Sequence, residues 1–352
     1  MPDYHKISFC TVAMDRLHHV KLTLKKNIKD NEKYPALEFI LLDYNSSDGL
    51  QQWVMDEMSS YVESGILKYY RTTEPDFLNR SHSANMSFKL ANGNILCRVD
   101  ADNYIGPDFA AFVNQQFSGQ EKIFLTPNFE RRDVIGRLCI RSSDFYSFRG
   151  YNESFEGYGF EDLELYQYLF LNGLSHNFIT DYRYLDAIYH GHDERFAKEY
   201  IGKMLLEIYV SYLEPWKAEI LLLYKDSKYE RGTVIDSESV PGTMETTDTI
   251  TNKINLEKSW EKGTWRPASN GDGSQYSELD HLIINLSAST SISSISGEQM
   301  NFYKITDQNL RNDIMLLRSE LENREKFYNT TISAVDERNL NGFGIGLTVK
   351  MN

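Results

Sequence analysis

The sequence LEFILLDYNSSD, residues 37–48, joins a mostly apolar run over 37–43 to a polar turn that begins at Tyr44. Residues 7–13 (ISFCTVA) and 94–99 (NILCRV) repeat this pattern, and each is followed by polar residues. An amphipathic helix over 16–30 separates the first two runs. Continuous apolar strands that alternate with helices are typical of a parallel sheet covered on both faces. The sequence therefore predicts an α/β fold whose ligands bind at the carboxyl ends of the strands.

Composition limits the classes of protein to consider. The chain has 352 residues and 41% hydrophobic content, enough for a sizeable core and more than one domain. Its net charge of −14 argues against a phosphate-tracking surface, so no nucleic-acid partner is expected. No run approaches the ~18 apolar residues of a membrane span, and the first residues lack a signal peptide's apolar segment. The three cysteines have neither disulfide nor zinc-site spacing, so a cytoplasmic location is expected.

Composition changes near residue 225. Residues 226–300 are rich in Ser, Thr, Gly, Asp and Glu. We expect a catalytic domain over 1–225 and a small C-terminal extension over 226–352, either mixed α/β or partly disordered. The elements expected there are strands over 281–286 and 343–349 and a charged helix over 308–328. The role of the extension stays open between binding the acceptor, a partner enzyme or another subunit of an oligomer.

Residues 194–224 predict a helical pair broken at Pro215. The stretch carries several aromatic residues, among them Tyr209, Tyr212 and Trp216. Such an amphipathic stretch is compatible with peripheral contact with a membrane surface, or with packing on the core or on a partner subunit. Packing is the favoured interpretation.

Asp100-Ala101-Asp102 follows the third apolar run. Two carboxylates at i and i+2, just past a strand end, can share a divalent cation and a phosphate ligand, although alone they more often form a polar turn. His190-Gly191-His192 lies near a later predicted strand end. A neutral imidazole there can complete a mixed Asp/His site suited to Mn²⁺. The pair His18-His19, on the first helix, is expected to be solvated.

A second candidate for chemistry is RGYNESFEGYGFED, residues 149–162. Its three glycines permit backbone angles that side chains forbid, and they let Tyr158 lie flat in a cleft. Glu161 and Asp162 then open a predicted helix, where the positive end of the dipole favours carboxylates. A carboxylate at this point can accept a proton from a hydroxyl, and an ordinary acidic first turn is the alternative.

Taken in order, these segments resemble inverting family 2 glycosyltransferases of the GT-A fold over about residues 7–195. TVAMDR at 11–16 is similar to the family's opening strand and turn, and LDYNSSD at 42–48 to its segment for the base and ribose of a UDP-sugar. NRSHSANM at 79–86 is similar to the helix before the Asp-x-Asp strand. The 149–162 block is similar to one shared by β-1,4-galactosyltransferases and the galactosyl or N-acetylgalactosaminyl domains of related polymerases.

The resemblance implies a nucleotide-diphospho-sugar transferase fold, a Rossmann-like mixed sheet with helices on both faces. It implies metal-dependent transfer of a hexose, preferably galactose or N-acetylgalactosamine, from a UDP-sugar to a hydroxyl of an oligosaccharide or glycan acceptor, with inversion. One departure concerns the usual A-R-N triplet, which reads Ser83-Ala84-Asn85. Its arginine is missing, and Arg80, one turn earlier, is the expected substitute.

The resemblance also implies roles for individual residues. Asp162 is the expected catalytic base, Glu161 binds donor or acceptor hydroxyls, and Tyr158 and Gly159 contact the acceptor. The implied donor-binding residues are Thr11, Arg16, Asp43, Arg80, Asn85, Asp100 and Asp102. The implied cofactor is Mn²⁺ or Mg²⁺, held by Asp102 and His192, with His190 as the alternative ligand.

Two other functions compete with the transferase. A sugar nucleotidyltransferase on a similar sheet needs a Gly-rich, basic loop after the first strand, but residues 11–16 contain one Arg and no Gly. A non-catalytic carbohydrate-binding protein with a degenerate transferase fold has no need of both carboxylate pairs, Asp100 with Asp102 and Glu161 with Asp162. Metal-dependent hydrolysis of a sugar donor separates the transferase from the binding protein.

Overall fold

A computed structural model describes residues 4–128, 132–239, 253–269, 275–279, 282–285, 290–294, 299–332 and 338–351. The chain divides into two compact units. The first consists of residues 1–191 and 326–352, and the second of residues 192–325. The division thus falls before the predicted boundary near 225, and the end of the chain returns to the first unit.

The helices and strands fall into three successive stretches of the chain. The first unit begins with β1 Ile7–Ala13, α1 Leu17–Asn31, β2 Leu37–Tyr44, α2 Leu50–Glu57, α3 Ser59–Glu63, β3 Leu67–Thr72, α4 Arg80–Lys89, β4 Ile95–Arg98, β5 Asn103–Tyr104, α5 Phe109–Ser118, β6 Ile123–Pro127, β7 Cys139–Arg141, α6 Ser142–Ser147, α7 Glu161–Leu171, β8 Ser175–Ile179 and β9 Asp186–Ala187. The second unit has α8 His192–Phe196, α9 Tyr200–Met204, β10 Leu205–Glu214, β11 Lys217–Tyr224, β12 Lys228–Asp236, β13 Ile254–Leu256, β14 Glu261–Thr264, β15 Arg266–Ser269, β16 Gln275–Leu279, β17 Leu282–Asn285, β18 Thr290–Ser294 and β19 Gln299–Lys304. The helix α10 Gln308–Ile332 begins in the second unit, and its residues from Lys326 onward belong to the first. The last strand, β20 Val349–Met351, belongs to the first unit.

The first unit is built on a mixed sheet with the strand order β20-β3-β2-β1-β4-β7-β6-β8. Strands β1 to β4 run parallel to their neighbours in this group, whereas β7 and β20 are antiparallel to theirs. The register pairs Ala13 with Asp43 and Cys10 with Arg98. The carboxyl ends of β1, β2 and β4 therefore meet at one edge of the sheet, as the sequence predicts.

Helices cover both faces of this sheet. Phe9 and Leu41 belong to a core that includes residues of α1, α2 and α5. Their strand neighbours Cys10 and Ile40 belong to a second core, with residues of α4 and α7. Because successive side chains of a strand point to opposite faces, both faces need apolar residues. This explains the continuous apolar runs, and the predicted mixed sheet with two helical layers is confirmed.

The second unit contains an antiparallel sheet, and this corrects the prediction for residues 194–224. Only α8 and α9 are helical there, and β10 and β11 form a hairpin in which Glu214 pairs with Lys217. Pro215 thus lies in a two-residue turn, where its fixed φ is tolerated. The rest of the sheet follows the order β13-β12-β11-β10-β19-β18-β17-β16-β15.

The C-terminal predictions have mixed outcomes. The helix expected over 308–328 is confirmed as α10. Leu282–Asn285 forms β17, while the remaining two residues of the strand predicted over 281–286 lie outside the described residues. The strand predicted over 343–349 is wrong for most of its length, because the ladder is limited to Val349–Met351.

Within the part of the chain that the structure describes, every helix is too short or too polar to cross a membrane.

Candidate active site

The polar turn after β2 is organised by Asp43. Its Oδ1 accepts a hydrogen bond from the backbone N–H of Ser46 at 2.7 Å, and its Oδ2 accepts one from the Tyr69 hydroxyl at 2.6 Å. The Nε of Arg71 lies 3.6 Å from the same Oδ2. Asp43 is completely buried. The carboxylate therefore shapes the loop from within, and its contact with a donor stays a prediction from the resemblance.

The turns after β1 and β2 are tied together. Oδ1 of Asp15 accepts a hydrogen bond from the Ser47 backbone N–H at 2.5 Å, and Oδ2 of Asp48 accepts one from the Leu17 N–H at 2.8 Å. The second bond satisfies a donor in the first turn of α1. Arg16 lies just before α1, partly exposed, and Thr11 lies near the end of β1, mostly buried. Arg16 and Thr11, both predicted to bind the sugar donor, thus lie at the carboxyl edge of the sheet.

Asp102 forms a close pair with His190. Nε2 of His190 lies 3.0 Å from Oδ2 of Asp102, and Nδ2 of Asn103 donates to Oδ1 of Asp102 at 2.9 Å. The short β5–β9 ladder holds the two segments together, and the Ile188 N–H donates to the Asp102 carbonyl at 2.8 Å. Of the two histidines proposed for the metal, the structure brings His190 to Asp102. His192 begins α8, in the second unit.

The two partners alter each other's protonation. Burial alone would raise the pKa of Asp102, but the hydrogen bond and charge of His190 outweigh it and lower that pKa. The hydrogen bond to Asp102 in turn raises the pKa of His190 above its ordinary value. A carboxylate oxygen and an imidazole nitrogen are both metal ligands, and at 3.0 Å they are close enough to share one cation.

Asp162 and Asp100 are joined by Arg98, a residue that the sequence reasoning missed. Nη1 of Arg98 donates to Oδ1 of Asp162 at 2.6 Å, and its Nε donates to Oδ1 of Asp100 at 3.2 Å. The guanidinium also lies over the Tyr151 ring, 5.3 Å from its centroid. Arg98 and Asp100 are two positions apart in extended chain, so their side chains share a face. That spacing is the signal by which the sequence could have revealed Arg98.

Charge is unbalanced around Asp162. Burial raises the pKa of Asp162 to about 7, and the carboxylates of Glu161 and Asp100 add to this effect. Arg98 opposes the shift. Burial lowers the pKa of the Arg98 guanidinium, but Asp162 and Asp100 outweigh burial and raise that pKa, so Arg98 stays charged. A carboxylate with a pKa close to neutrality is suited to general-base chemistry.

Two backbone features make room for this cluster. A Cβ on Gly136 would stand 2.9 Å from Oδ2 of Asp100 and 3.3 Å from Oδ2 of Asp162, so the backbone approaches the carboxylates closely. No sequence pattern pointed to Gly136. Phe160 precedes α7 with a φ of 69° and Gly159 has a φ of 96°. This left-handed turn starts the helix at Glu161, as predicted.

Arg80 lies against Tyr158. Its guanidinium carbon is 5.0 Å from the centroid of the Tyr158 ring, an arrangement typical of a cation–π contact. Its charge also lowers the pKa of Asp162, although less than that of Arg98. The structure thus brings Arg80, the expected substitute for the missing arginine, to the 149–162 block.

Asn85 belongs to the predicted donor-binding set. It is completely buried in α4, and its Nδ2 donates to the Tyr151 carbonyl at 2.9 Å and to Oε1 of Glu153 at 2.8 Å. Its Oδ1 accepts from the Tyr151 N–H at 2.8 Å. Both ends of the amide are engaged in this way, so Asn85 fixes the start of the 149–162 block from inside the first unit.

The last part of the chain holds the same block from another direction. Arg338 is buried, and its guanidinium donates to Oε1 of Glu164 at 2.6 Å and to the Gly150 carbonyl at 2.9 Å. Farther on, the Gly344 N–H donates to Oε1 of Glu153 at 2.6 Å. Residues 338–351 are therefore part of the candidate active-site unit, contrary to the prediction that this unit ends near 225.

A pocket of about 350 Å³ opens in the first unit between β2, α4 and the returning segment. Glu74 and Glu153 supply carboxylates to its wall, and Tyr44 and His82 supply a hydroxyl and an imidazole. Nδ1 of His82 lies 2.7 Å from the Tyr44 hydroxyl, and its Nε2 lies 3.0 Å from the carbonyl of Ile345. The C-terminal segment thus forms part of the pocket wall.

No family model and no curated protein matches the sequence. Among solved structures, a mannosyltransferase from Pyrobaculum calidifontis in complex with GDP-Man and Mn²⁺ is 15% identical, with a TM-score of 0.46 over 57% of this chain and 65% of that one. S. aureus TarS 1–349 is 15% identical, with a TM-score of 0.43 over 54% and 62%. The chain thus spans less than two thirds of the length of both. The catalytic domain of Drosophila β1,4-galactosyltransferase 7 in complex with xylobiose is 14% identical, with a TM-score of 0.38 over 54% and 73%.

Proposed function

We propose that this protein is a metal-dependent glycosyltransferase that moves a hexose from a UDP-sugar to a carbohydrate hydroxyl with inversion. The observation that carries the proposal is the continuity of two polar clusters. Residues 100 and 102 belong to one turn, and Asp102 pairs with His190 while Asp100 is joined through Arg98 to Asp162. A cation-binding pair and a candidate base are thereby held at one edge of the sheet, where α/β proteins bind ligands.

Asp102 and His190 are the residues that would hold the cation. Their mixed oxygen and nitrogen donors fit Mn²⁺ better than Mg²⁺, which prefers oxygen ligands and retained water. Bound there, the cation would offset the negative charge that builds on the leaving diphosphate. His192 stays a predicted alternative ligand. Thr11 and Arg16, at the same edge, are proposed to contact the donor.

Asp162 is proposed as the base. Its Oδ1 accepts the bond from Arg98, so the proton of the acceptor hydroxyl would pass to Oδ2. As that proton leaves, the acceptor oxygen bonds to the anomeric carbon, and the bond from this carbon to the diphosphate oxygen breaks on the opposite face. The electron pair departs with the diphosphate, and the anomeric centre is inverted. Arg98 keeps the base oriented toward the reaction.

Three neighbours of the base complete the proposal. Glu161 would accept hydrogen bonds from hydroxyls of donor or acceptor. Tyr158, with Arg80 on its ring, would present an aromatic surface to a sugar, and Gly159 leaves space beside it. Galactose or N-acetylgalactosamine is the proposed donor sugar. A cytoplasmic location stays a prediction from the sequence.

The test is a donor screen with the full chain. UDP-galactose, UDP-N-acetylgalactosamine, UDP-glucose, UDP-N-acetylglucosamine and GDP-mannose are each incubated with Mn²⁺, and released nucleotide is measured with and without oligosaccharide acceptors. We expect turnover of a UDP-hexose that chelation removes and Asp102→Ala abolishes. Donor binding without turnover by any of these sugars would favour a carbohydrate-binding protein, and release of pyrophosphate from UTP and a sugar phosphate would favour a nucleotidyltransferase.

A further inference from the structure

Helix α1 carries a buried polar ridge. One polar side chain appears in each turn, at a spacing of four residues, and each is at most 4% exposed. The members are His19, Thr23, Asn27 and Asn31. His18, beside the first of them, is exposed. The expectation that both histidines are solvated is therefore wrong for His19.

Most of this ridge is bonded to one segment of backbone, the segment that follows the Asp-x-Asp turn. The bonds are Thr23 Oγ1 to the Ala101 carbonyl at 2.7 Å, Asn27 Nδ2 to the Asn103 carbonyl at 2.9 Å and Asn31 Nδ2 to the Gly106 carbonyl at 3.1 Å. Helix α1 is thereby fixed in register along residues 101–106. His19 lies one helical turn before Thr23. The same register therefore places His19 beside the loop that contains Asp100 and Asp102.

The imidazole of His19 lies beside that of His190. The two ring centroids are 5.5 Å apart, with an angle of 39° between the ring planes. With metal–nitrogen bonds of about 2.1 Å, two imidazoles that bind one cation have centroids roughly 5 Å apart. The observed separation is close to that value, and Nε2 of His190 is already 3.0 Å from Asp102.

We propose that His19 supplies a second imidazole to the cation held by Asp102 and His190. This rests on the metal site of the proposed function, but not on the identity of the sugar or of the acceptor. A ligand on α1 would explain why the helix is tied so closely to the turn after β4. The bonds of Thr23 and Asn27 hold the helix in register with the turn, and this keeps His19 beside His190.

The test uses Mn²⁺ alone, without a sugar donor. Binding to the full-length protein is measured by the loss of the free-ion EPR signal, for the wild type and for His19→Phe, which keeps a buried ring but has no nitrogen. His5→Phe, just before the amino end of β1 and so at the opposite edge of the sheet, is the matched control. We expect the Kd for Mn²⁺ to rise at least about tenfold in His19→Phe and to stay unchanged in His5→Phe.

A second readout counts the nitrogens on the cation. Electron-spin-echo modulation from Mn²⁺ bound to protein that contains ¹⁵N-histidine should detect two imidazoles in the wild type and one in His19→Phe. If His19→Phe fails to fold, as judged by circular dichroism without metal, His19→Gln takes its place. An unchanged Kd together with an unchanged nitrogen count would overturn the proposal. If Mn²⁺ binds through His19 but no donor is hydrolysed, the proposed function fails and this inference stands.

Discussion

Each unit contains a buried arginine–carboxylate cluster, and the two are built differently. In the first unit Arg98 divides its bonds between Asp100 and Asp162, with N–O distances of 3.2 and 2.6 Å. In the second unit Arg318 donates two hydrogen bonds to Glu230, at 2.6 and 2.7 Å, and its Nη2 also forms an ion pair with Glu322. The arginine side chains are equally buried, with exposed fractions of 12% and 11%. The difference therefore lies in charge and geometry.

The second cluster is balanced and the first is not. Lys262 and Arg318 face Glu230 and Glu322, so each carboxylate there has a cationic partner. Around Asp162, by contrast, the carboxylates of Asp162, Glu161 and Asp100 outnumber the two guanidinium groups that act on it, those of Arg98 and Arg80. A balanced, bidentate pair stabilises one arrangement of side chains. An excess of buried carboxylate leaves one group, Asp162, ready to take up a proton.

The strongest test of this contrast compares the two carboxylates. Asp162→Asn should lower the rate of transfer about 10²–10⁴-fold, because general-base assistance is lost while shape is kept. Glu230→Gln is the matched change in the balanced cluster, and it should keep the transfer rate of the folded protein. Rates are measured with saturating UDP-sugar and Mn²⁺. Transfer by Asp162→Asn at close to the wild-type rate would exclude Asp162 as the base and make Glu161 the next candidate.

Removing the arginine of the balanced cluster should affect stability instead. Arg318→Met leaves Glu230 buried without its bidentate partner, and breaking such a pair costs about 3–5 kcal/mol. Urea unfolding followed by circular dichroism measures the loss. Lys26→Met is the control, since it breaks an exposed pair with Asp30 whose lysine is 56% exposed, and it should cost at most about 0.5 kcal/mol. Equal losses in the two variants would contradict the structural role of the Glu230 cluster.

A methyl group can disturb the unbalanced cluster without removing any charge. Gly136→Ala would put a Cβ 2.9 Å from Oδ2 of Asp100, so the carboxylates must shift. We expect kcat/KM to fall about 10–100-fold, as small misplacements of catalytic groups do. Gly119→Ala is the control, because its Cβ would meet nothing within 4 Å. If both variants have wild-type kinetics, the close backbone approach at Gly136 does not matter for the site.

The smallest expected effect is on pH dependence. Because the pKa of Asp162 is about 7, the base is increasingly protonated below that pH, and kcat/KM should fall about tenfold per pH unit. In Asp162→Asn this fall of kcat/KM below about pH 7 should be absent, and in Glu230→Gln it should be present. The raised pKa also means that the stability contributed by Asp162 is full below its ordinary value of 3.8 and is lost as the pH rises through about 7. A flat profile between pH 5 and 8 in the wild type would contradict the assignment.

Local patterns predicted much of the first unit. The apolar runs at 7–13 and 37–43 gave β1 and most of β2, because a strand buried on both faces has a distinctive composition. The start of α7 at Glu161 followed from glycines and acidic residues close in the chain. Asp100, Asp102 and Asp162 were singled out for the same reason, since each lies at the end or beginning of an element.

The predictions that were wrong or missing concern residues whose contacts are with residues far away in the sequence. Residues 205–224 carry apolar and aromatic residues that suit a helix or a strand, and β19, which pairs with β10, is some ninety residues later. Arg338 is 174 residues from Glu164, so no local pattern could reveal that pair. Asn85 matched a family motif by type, but its contacts with Tyr151 and Glu153 depend on how α4 packs. Arg98 was passed over because it lies inside an apolar strand.

The return of residues 338–351 to the first unit has a consequence for synthesis of the chain. The second unit is an insertion, so the ribosome must finish it before Arg338 can reach Glu164 and β20 can pair with β3. At about 5–20 residues per second, translation of residues 192–351 takes roughly 10–30 s. Throughout that time the nascent first unit exposes an unpaired edge at β3 and leaves Glu164 without its buried arginine. Until residues 338–344 have been made, Glu164 and Glu153 also lack the hydrogen bonds that Arg338 and Gly344 donate to them.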